Sequence, residues 1–175
     1  MSVEMILLTA QGHFEAQNYT YAIVAFQQAL MVNRRELLQA PRAQRRTLIE
    51  THVNIHVDMG HTLCNMGSWR SAITHYKRAL RYMMNLLQSE STAVARIHAH
   101  LASAYSDYGR YSRAVLYYTL AVDIYNDHNL MESPEVFEWL EETRRNMNLC
   151  GGVFSEITFQ ELRGMRDRSF PRRNH

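Results

Sequence analysis

The sequence predicts an all-α fold built from repeated pairs of antiparallel helices. One pattern of glycine, aromatic, alanine and tyrosine positions occurs at residues 67–80 and again at residues 109–122. Only seven glycines and three prolines interrupt the 175 residues, which favours long helices over short strands and tight turns. With 46% hydrophobic and 21% charged residues, the composition is that of a folded domain or a short repeat array, not of a disordered chain.

The repeated pattern has the spacing of one face of an α-helix. The matching positions are Trp69, Ala72, Ile73, Tyr76, Ala79, Leu80 and Met83 in one copy, and Tyr111, Ala114, Val115, Tyr118, Ala121, Val122 and Tyr125 in the other. An earlier copy at residues 17–30 supplies Tyr19, Ala22, Ile23, Phe26, Ala29 and Leu30 but lacks the leading glycine. Each copy is therefore predicted to be the second helix of a hairpin.

Small residues mark where the two helices of each hairpin should cross closely, because a larger side chain would force the backbones apart. The second helices offer Ala22, Ala72 and Ala114, and the first helices upstream offer Ala10, Gly60 and Ala102. Gly67 and Gly109 fit the turn between the helices, where a positive φ angle is common.

This order of small, aromatic and glycine positions resembles the tetratricopeptide repeat. The resemblance covers about residues 3–127 and implies repeats at about 3–37, 42–88 and 92–127. It also implies a right-handed superhelical solenoid whose first helices line a concave groove. Equivalent alanines are 50 and 42 residues apart, against a usual period of about 34. Such long repeats are similar to those of kinesin light chains and spindle-orientation adaptors.

A C-terminal capping helix pair is predicted at about residues 134–165, followed by a basic, mobile tail at 166–175. Ser133 is the expected N-cap of the first capping helix, with Pro134 in its first turn. Its predicted apolar stripe contains Phe137, Leu140, Thr143 or Arg144, and Met147. Phe137, Trp139 and Leu140 are expected to cover the third repeat.

The family resemblance implies that the groove binds a protein segment. Aligned on the small positions, the residues expected to point into it are Asn54, Asp58, His61, Asn65, Arg96, His100, Ser103 and Asp107. The clamp with which some members hold the acidic tail of chaperones would map onto Leu7, Gln11, Asp58, Arg96 and His100. Only Arg96 suits a carboxylate there, and Asp58 would repel it. We therefore expect a scaffold or adaptor for another protein or peptide, either alone or as a subunit of a larger assembly, and not a chaperone-tail receptor.

A second function class rests on arginine. The net charge is only +2, and Lys77 is the single lysine. Two long helices meeting near Pro41 should form a tip that presents Arg34, Arg35, Arg42, Arg45 and Arg46. Guanidinium groups bind carboxylate or phosphate through paired hydrogen bonds, so nucleic acid or an anionic surface is the alternative partner.

Catalysis, cofactors and metals are not predicted. His52 and His56 have the spacing of a zinc-binding helix, but the glutamate that such a motif requires between them is missing, so the histidines are interpreted as structural. Cys64 and Cys150 lack the neighbours of a zinc site and are expected to be reduced thiols. No apolar run approaches the length of a membrane-spanning helix. A cytoplasmic location is expected, with the nucleus left open.

Overall fold

The computed structural model describes residues 2–87 and 92–150, which form seven α-helices. They are α1 (Val3–Glu15), α2 (Tyr19–Gln39), α3 (Arg42–Asn65), α4 (Trp69–Leu87), α5 (Thr92–Asp107), α6 (Tyr111–Asp127) and α7 (Pro134–Leu149). The described residues contain no strand, so the predicted all-α class is confirmed. The second capping helix and the basic tail were predicted within residues 151–175, outside the described part of the chain.

The chain divides into two compact units, one containing α1 to α4 and the other α5 to α7. In the first unit each helix packs against the next along the chain. The predicted long helices on either side of Pro41 are present, with 21 residues in α2 and 24 in α3. Ala40, just before the proline, has extended backbone, as the proline ring requires of the residue that precedes it.

Small residues lie at the predicted helix crossings. Ala10, Ala22 and Ala72 have no exposed surface in the first unit, and Ala102 and Ala114 have none in the second. Their small side chains allow the paired helices to approach closely, which places neighbouring aromatic rings in the interior. The predicted burial of these positions is therefore confirmed.

The turns of the first two hairpins have the same geometry. Gly67 has a φ of 71°, and its amide donates to Cys64 O at 2.9 Å. In the first hairpin, Gln17 occupies the equivalent position with a φ of 59°, and its amide donates to Phe14 O at 2.9 Å. The first hairpin thus adopts the left-handed turn without the glycine that usually supplies it.

In the second unit, α6 packs against both α5 and α7. Helix α7 begins as predicted, with Ser133 at the N-cap and Pro134 in the first turn, although the Ser133 side chain makes no capping hydrogen bond. The ring of Trp139 meets Tyr125 of α6 edge-on, at a centroid distance of 4.9 Å. Trp139 therefore covers α6, as expected.

The apolar stripe predicted for α7 is wrong in its register, and of its predicted members only Thr143 is buried. Phe137 is 61% exposed and Leu140 39% exposed, Arg144 is exposed, and Met147 is only half-buried. The buried residues are Val136, Trp139, Thr143 and Asn146. Two of these are polar, but Thr143 donates to Trp139 O and Asn146 donates to Glu142 O within the same helix. Because these side-chain donors have hydrogen-bond partners within α7, the two polar residues can lie on its buried face.

Among the described residues, no helix combines the length and apolar character needed to cross a bilayer.

Candidate protein-binding surface

The polar residues predicted on the first helix of the second repeat form one stripe along α3. This α3 stripe consists of Asn54, Asp58, His61 and Asn65. Their spacing of four, three and four residues keeps them on one side of the helix. Asn54 and Asn65 are exposed, whereas Asp58 and His61 are half-buried. The Asn65 side chain donates to His61 O at 3.0 Å, so part of its hydrogen-bonding capacity is used within α3.

The middle of the α3 stripe borders an open pocket with a cavity volume of about 70 Å³. Helix α1 contributes Gln11 and Phe14, α2 contributes Phe26, and α3 contributes Asp58 and His61. Two of the five lining residues are aromatic, and Phe26 belongs to the hydrophobic core of the unit. The pocket therefore combines apolar walls with a few polar groups, as binding sites commonly do.

Asp58 is the acidic group of this pocket. Burial raises the pKa of its carboxyl from 3.8 to about 6. Within the described part of the chain, no hydrogen bond or salt bridge to the carboxylate offsets this effect; the Asp58 carbonyl accepts from Thr62, but that is a backbone contact. A half-buried carboxylate without a counter-ion is costly to ionise, and an added cation would lower that cost.

The residues predicted from the third repeat form a corresponding α5 stripe, which lies in the second unit: Arg96, His100, Ser103 and Asp107. All are exposed except His100, which is half-buried. Burial raises the pKa of the Asp107 carboxyl. The stripe carries both a cation and an anion, so it offers hydrogen bonds and charges of mixed sign.

The pocket includes two residues that sequence reasoning did not assign to a site. Phe14 and Phe26 were absent from the predicted groove set, and Gln11 entered only through the chaperone-tail comparison. Leu7, the other residue of α1 in that comparison, packs against the hydrophobic core. The helical spacing of α1 could have indicated Phe14. Gln11 follows Leu7 by four residues and Phe14 follows Gln11 by three, which places all three on one side of the helix.

The predicted arginine tip is formed by the C-terminal part of α2 and the start of α3. Arg34, Arg35, Arg42, Arg45 and Arg46 are all exposed there. Two of them hold local contacts. Arg45 Nε donates to Ala40 O at 3.2 Å, just after the end of α2, and Arg46 forms an ion pair with Glu50 at 3.1 Å. The tip therefore presents less unpaired positive charge than the sequence suggests.

The histidines of α3 lie in a buried polar network that joins three helices. His52 Nδ1 donates to Asn33 Oδ1 at 2.9 Å, and Asn33 Nδ2 donates to Leu48 O at 3.0 Å. His56 Nδ1 lies 3.0 Å from His75 Nδ1 of α4, so one of the two rings donates to the other. The structural role predicted for His52 and His56 agrees with this network, whereas Asn33 and His75 were not anticipated.

Burial and neighbouring cations keep these imidazoles neutral. The pKa of His56 is lowered to about 3, first by burial and then by His75, His52 and two arginines of α4, Arg78 and Arg81. Burial also lowers the pKa of His52 and His75. In residues 2–87 and 92–150, no three histidine, cysteine or acidic side chains are arranged to hold a metal ion.

Comparison with known proteins agrees with the helical repeat architecture. Residues 51–127 match the family model described as Tetratricopeptide repeat. No curated protein sequence matches the chain.

Several solved structures have a similar fold. The apo form of RapI has a TM-score of 0.73 at 12% identity, over 97% of this chain and 44% of the RapI chain. A kinesin light chain structure from Podosopora anserina with nearly identical TPR-like repeats has a TM-score of 0.69 at 14% identity, over 95% and 76% of the two chains. BtubC (BKLC) from P. vanneervenii has a TM-score of 0.60 at 21% identity, over 99% of this chain and 63% of that one. The present chain thus spans less than half of RapI, and identities this low show a shared fold alone.

The paired helices, the small residues at their crossings and the left-handed turns define an all-α helical repeat protein. Residues 51–127 match the tetratricopeptide repeat model, and the 42-residue spacing between Ala72 and Ala114 is longer than the usual period of about 34. The family resemblance predicted from the sequence is confirmed.

Proposed function

We propose that this chain is a non-catalytic scaffold or adaptor that binds a segment of another protein through the polar faces of α3 and α5. The observation that carries the proposal is the open pocket beside the α3 stripe, where no partner among the described residues offsets the burial of Asp58. The tetratricopeptide-type repeats support a protein partner, since stacked helix hairpins present extended surfaces for binding.

The two stripes differ in a way that suits a segment of mixed polarity. The α3 stripe offers amide groups, an imidazole and one carboxylate, whereas the α5 stripe adds the guanidinium of Arg96. Each stripe can give specificity through complementary hydrogen bonds and charges. The residues predicted for the groove remain the proposed contact set.

The arginine tip supports a second, weaker candidate, binding to nucleic acid or an anionic surface. Arg34, Arg35 and Arg42 are exposed and have no ion pair in the described residues. Arg45 and Arg46 are already engaged near the tip. We therefore assign the tip a secondary, salt-sensitive attraction, and the stripes the specific recognition.

A selection of displayed random peptides on the full chain, followed by calorimetry, tests the proposal. The stripe variant carries Asn65→Ala and Arg96→Ala. The tip variant carries Arg35→Ala and Arg42→Ala, which leave the local contacts of Arg45 and Arg46 intact. We expect the stripe variant to lose far more affinity than the tip variant, at both about 50 mM and about 300 mM salt. A larger loss in the tip variant, with affinity falling steeply as salt rises, would favour the electrostatic function instead.

A further inference from the structure

We infer that the pocket between α1, α2 and α3 receives a single arginine or lysine side chain of the partner, with the Asp58 carboxylate as its counter-ion. This inference rests on the proposed protein-binding function and specifies what one site on the α3 stripe recognises. It turns the general expectation of a mixed-polarity partner into a requirement for one basic residue.

The charge of the pocket favours a cation. Asp58 is half-buried, and no arginine or lysine is among the residues that line the pocket. The other lining groups are the side chains of Gln11, His61 and two phenylalanines. An anionic ligand would meet an uncompensated carboxylate, whereas a guanidinium or ammonium group would supply the missing opposite charge.

The walls suit the rest of such a side chain. Phe14 and Phe26 can cover the methylene groups of lysine or arginine, whose stems bury readily against apolar surface while the charged head remains polar. An aromatic face also attracts a cation directly, and the planar guanidinium of arginine stacks well on it. Gln11 is exposed on α1, where its amide can accept a hydrogen bond from the same head group.

The size of the pocket restricts what can enter. Its cavity volume of about 70 Å³ lies far below the range of about 300–1,000 Å³ that is typical of small-molecule sites. One long side chain projecting from a bound segment fits this space better than a free metabolite. The backbone of that segment would then run along the exposed α3 stripe.

The test uses the full chain and a peptide selected from a random displayed library. We expect the wild type to enrich arginine or lysine at one peptide position. Replacing that arginine by citrulline, which keeps the shape and removes the charge, should weaken binding about tenfold. The Asp58→Asn variant should bind the arginine peptide about as weakly and should no longer distinguish arginine from citrulline. Glu36→Gln removes an exposed carboxylate of α2 that does not line the pocket, and it should leave both affinities unchanged.

The outcomes separate this inference from the proposed function. Selected peptides without a basic position, or a citrulline penalty that survives in Asp58→Asn, would overturn the inference while peptide binding itself stands. Failure of the wild type to select any peptide would overturn both. Asp58→Glu restores the charge and should recover the preference for arginine, which distinguishes loss of a counter-ion from loss of local structure.

Discussion

Gly60 of α3 lies directly against the ring of Tyr76 of α4, so closely that a Cβ atom at residue 60 would be 2.7 Å from Tyr76 Cζ. Tyr76 is 2% exposed, and its hydroxyl lies 3.9 Å from Cys64 Sγ. Burial raises the pKa of the Tyr76 hydroxyl, and Cys64 adds to this effect. Asp58, two residues before Gly60, makes a further contribution in the same direction. The packing of α3 on α4 is therefore linked to the environment of the proposed binding pocket.

The first prediction is that Gly60→Ala destabilises the protein. The added methyl would overlap the Tyr76 ring, and overpacking of this kind costs about 1 to 3 kcal/mol. Gly12→Ala in α1 is the matched control, because nothing lies within 4 Å of a Cβ there. It should stabilise the helix by about 0.5 to 1 kcal/mol. Urea unfolding followed by circular dichroism measures both, and equal effects of the two substitutions would contradict the packing described here.

The second prediction concerns the turn of the first hairpin. Gln17 has a φ of 59°, in the left-handed region that disfavours residues with a Cβ atom. Gln17→Gly should stabilise the protein by up to about 1 kcal/mol, since the strain relieved exceeds the added freedom of the unfolded chain. Gly67→Ala places a side chain at the equivalent position of the second hairpin and should destabilise by a similar amount. The comparison again uses urea unfolding, and a less stable Gln17→Gly variant would refute the strain argument.

The third prediction is that the buried histidines make the folded protein less stable as the pH falls. His56 has a pKa of about 3 in the folded protein, against an ordinary value of 6.5. As pH falls from about 6.5 towards 3, the unfolded chain takes up a proton at this position that the folded chain does not, so stability is lost. The polar and charged groups around His52 and His56 come from two helices. Helix α2 contributes Asn33 and Arg34, and α4 contributes His75, Arg78, Arg81 and Tyr82.

The titration of His56 can be followed directly by the NMR signal of its imidazole Cε1–H. The signal should stay at the neutral position down to about pH 4. Titration of His56 near pH 6.5 in the folded protein would show that the ring is not held neutral by burial.

The fourth prediction is that Asp58 has the opposite effect, because its carboxyl lowers stability as the pH rises. The Asp58 carboxyl has a pKa of about 6 when folded and 3.8 ordinarily, so stability is lost as the pH rises from about 4 to about 6, and the full cost of the ionised form remains above pH 6. Asp58→Asn should therefore be more stable than the wild type at pH 7.5. The difference should shrink as pH falls through 6 and vanish near pH 4. Urea unfolding at several pH values measures the difference, and a constant difference between wild type and Asp58→Asn would contradict the burial of the charge.

The repeat architecture was predictable because its signals are local. The helical spacing of Ala72 and Tyr76 indicates which side of α4 is buried, and the glycine at residue 67 indicates a turn with a positive φ angle. The first hairpin was harder to predict, because its turn has Gln17 in place of a glycine. Gln17 adopts the left-handed turn although it carries a Cβ atom, and a local pattern does not show that.

The side-chain arrangement of the site was less predictable. The register of α7 depends on Trp139 meeting Tyr125 and on internal hydrogen bonds of Thr143 and Asn146, so hydrophobicity alone misplaced the stripe onto Phe137 and Leu140. The polar stripe on α3 followed from helical spacing, but its pocket did not. Residues from three helices line that pocket, and only the fold brings Phe14 and Phe26 to Asp58.

We propose that the polar faces of α3 and α5, and not the arginine tip, bind the partner. Amide chemical-shift mapping of the isotopically labelled full chain with a selected peptide tests it most directly. We predict that the largest changes fall between Asn54 and Asn65 on α3, beside Gln11 and Phe14 of α1, with further changes on α5 between Arg96 and Asp107. Changes concentrated at residues 34–46, with the α3 and α5 signals unmoved, would contradict the account.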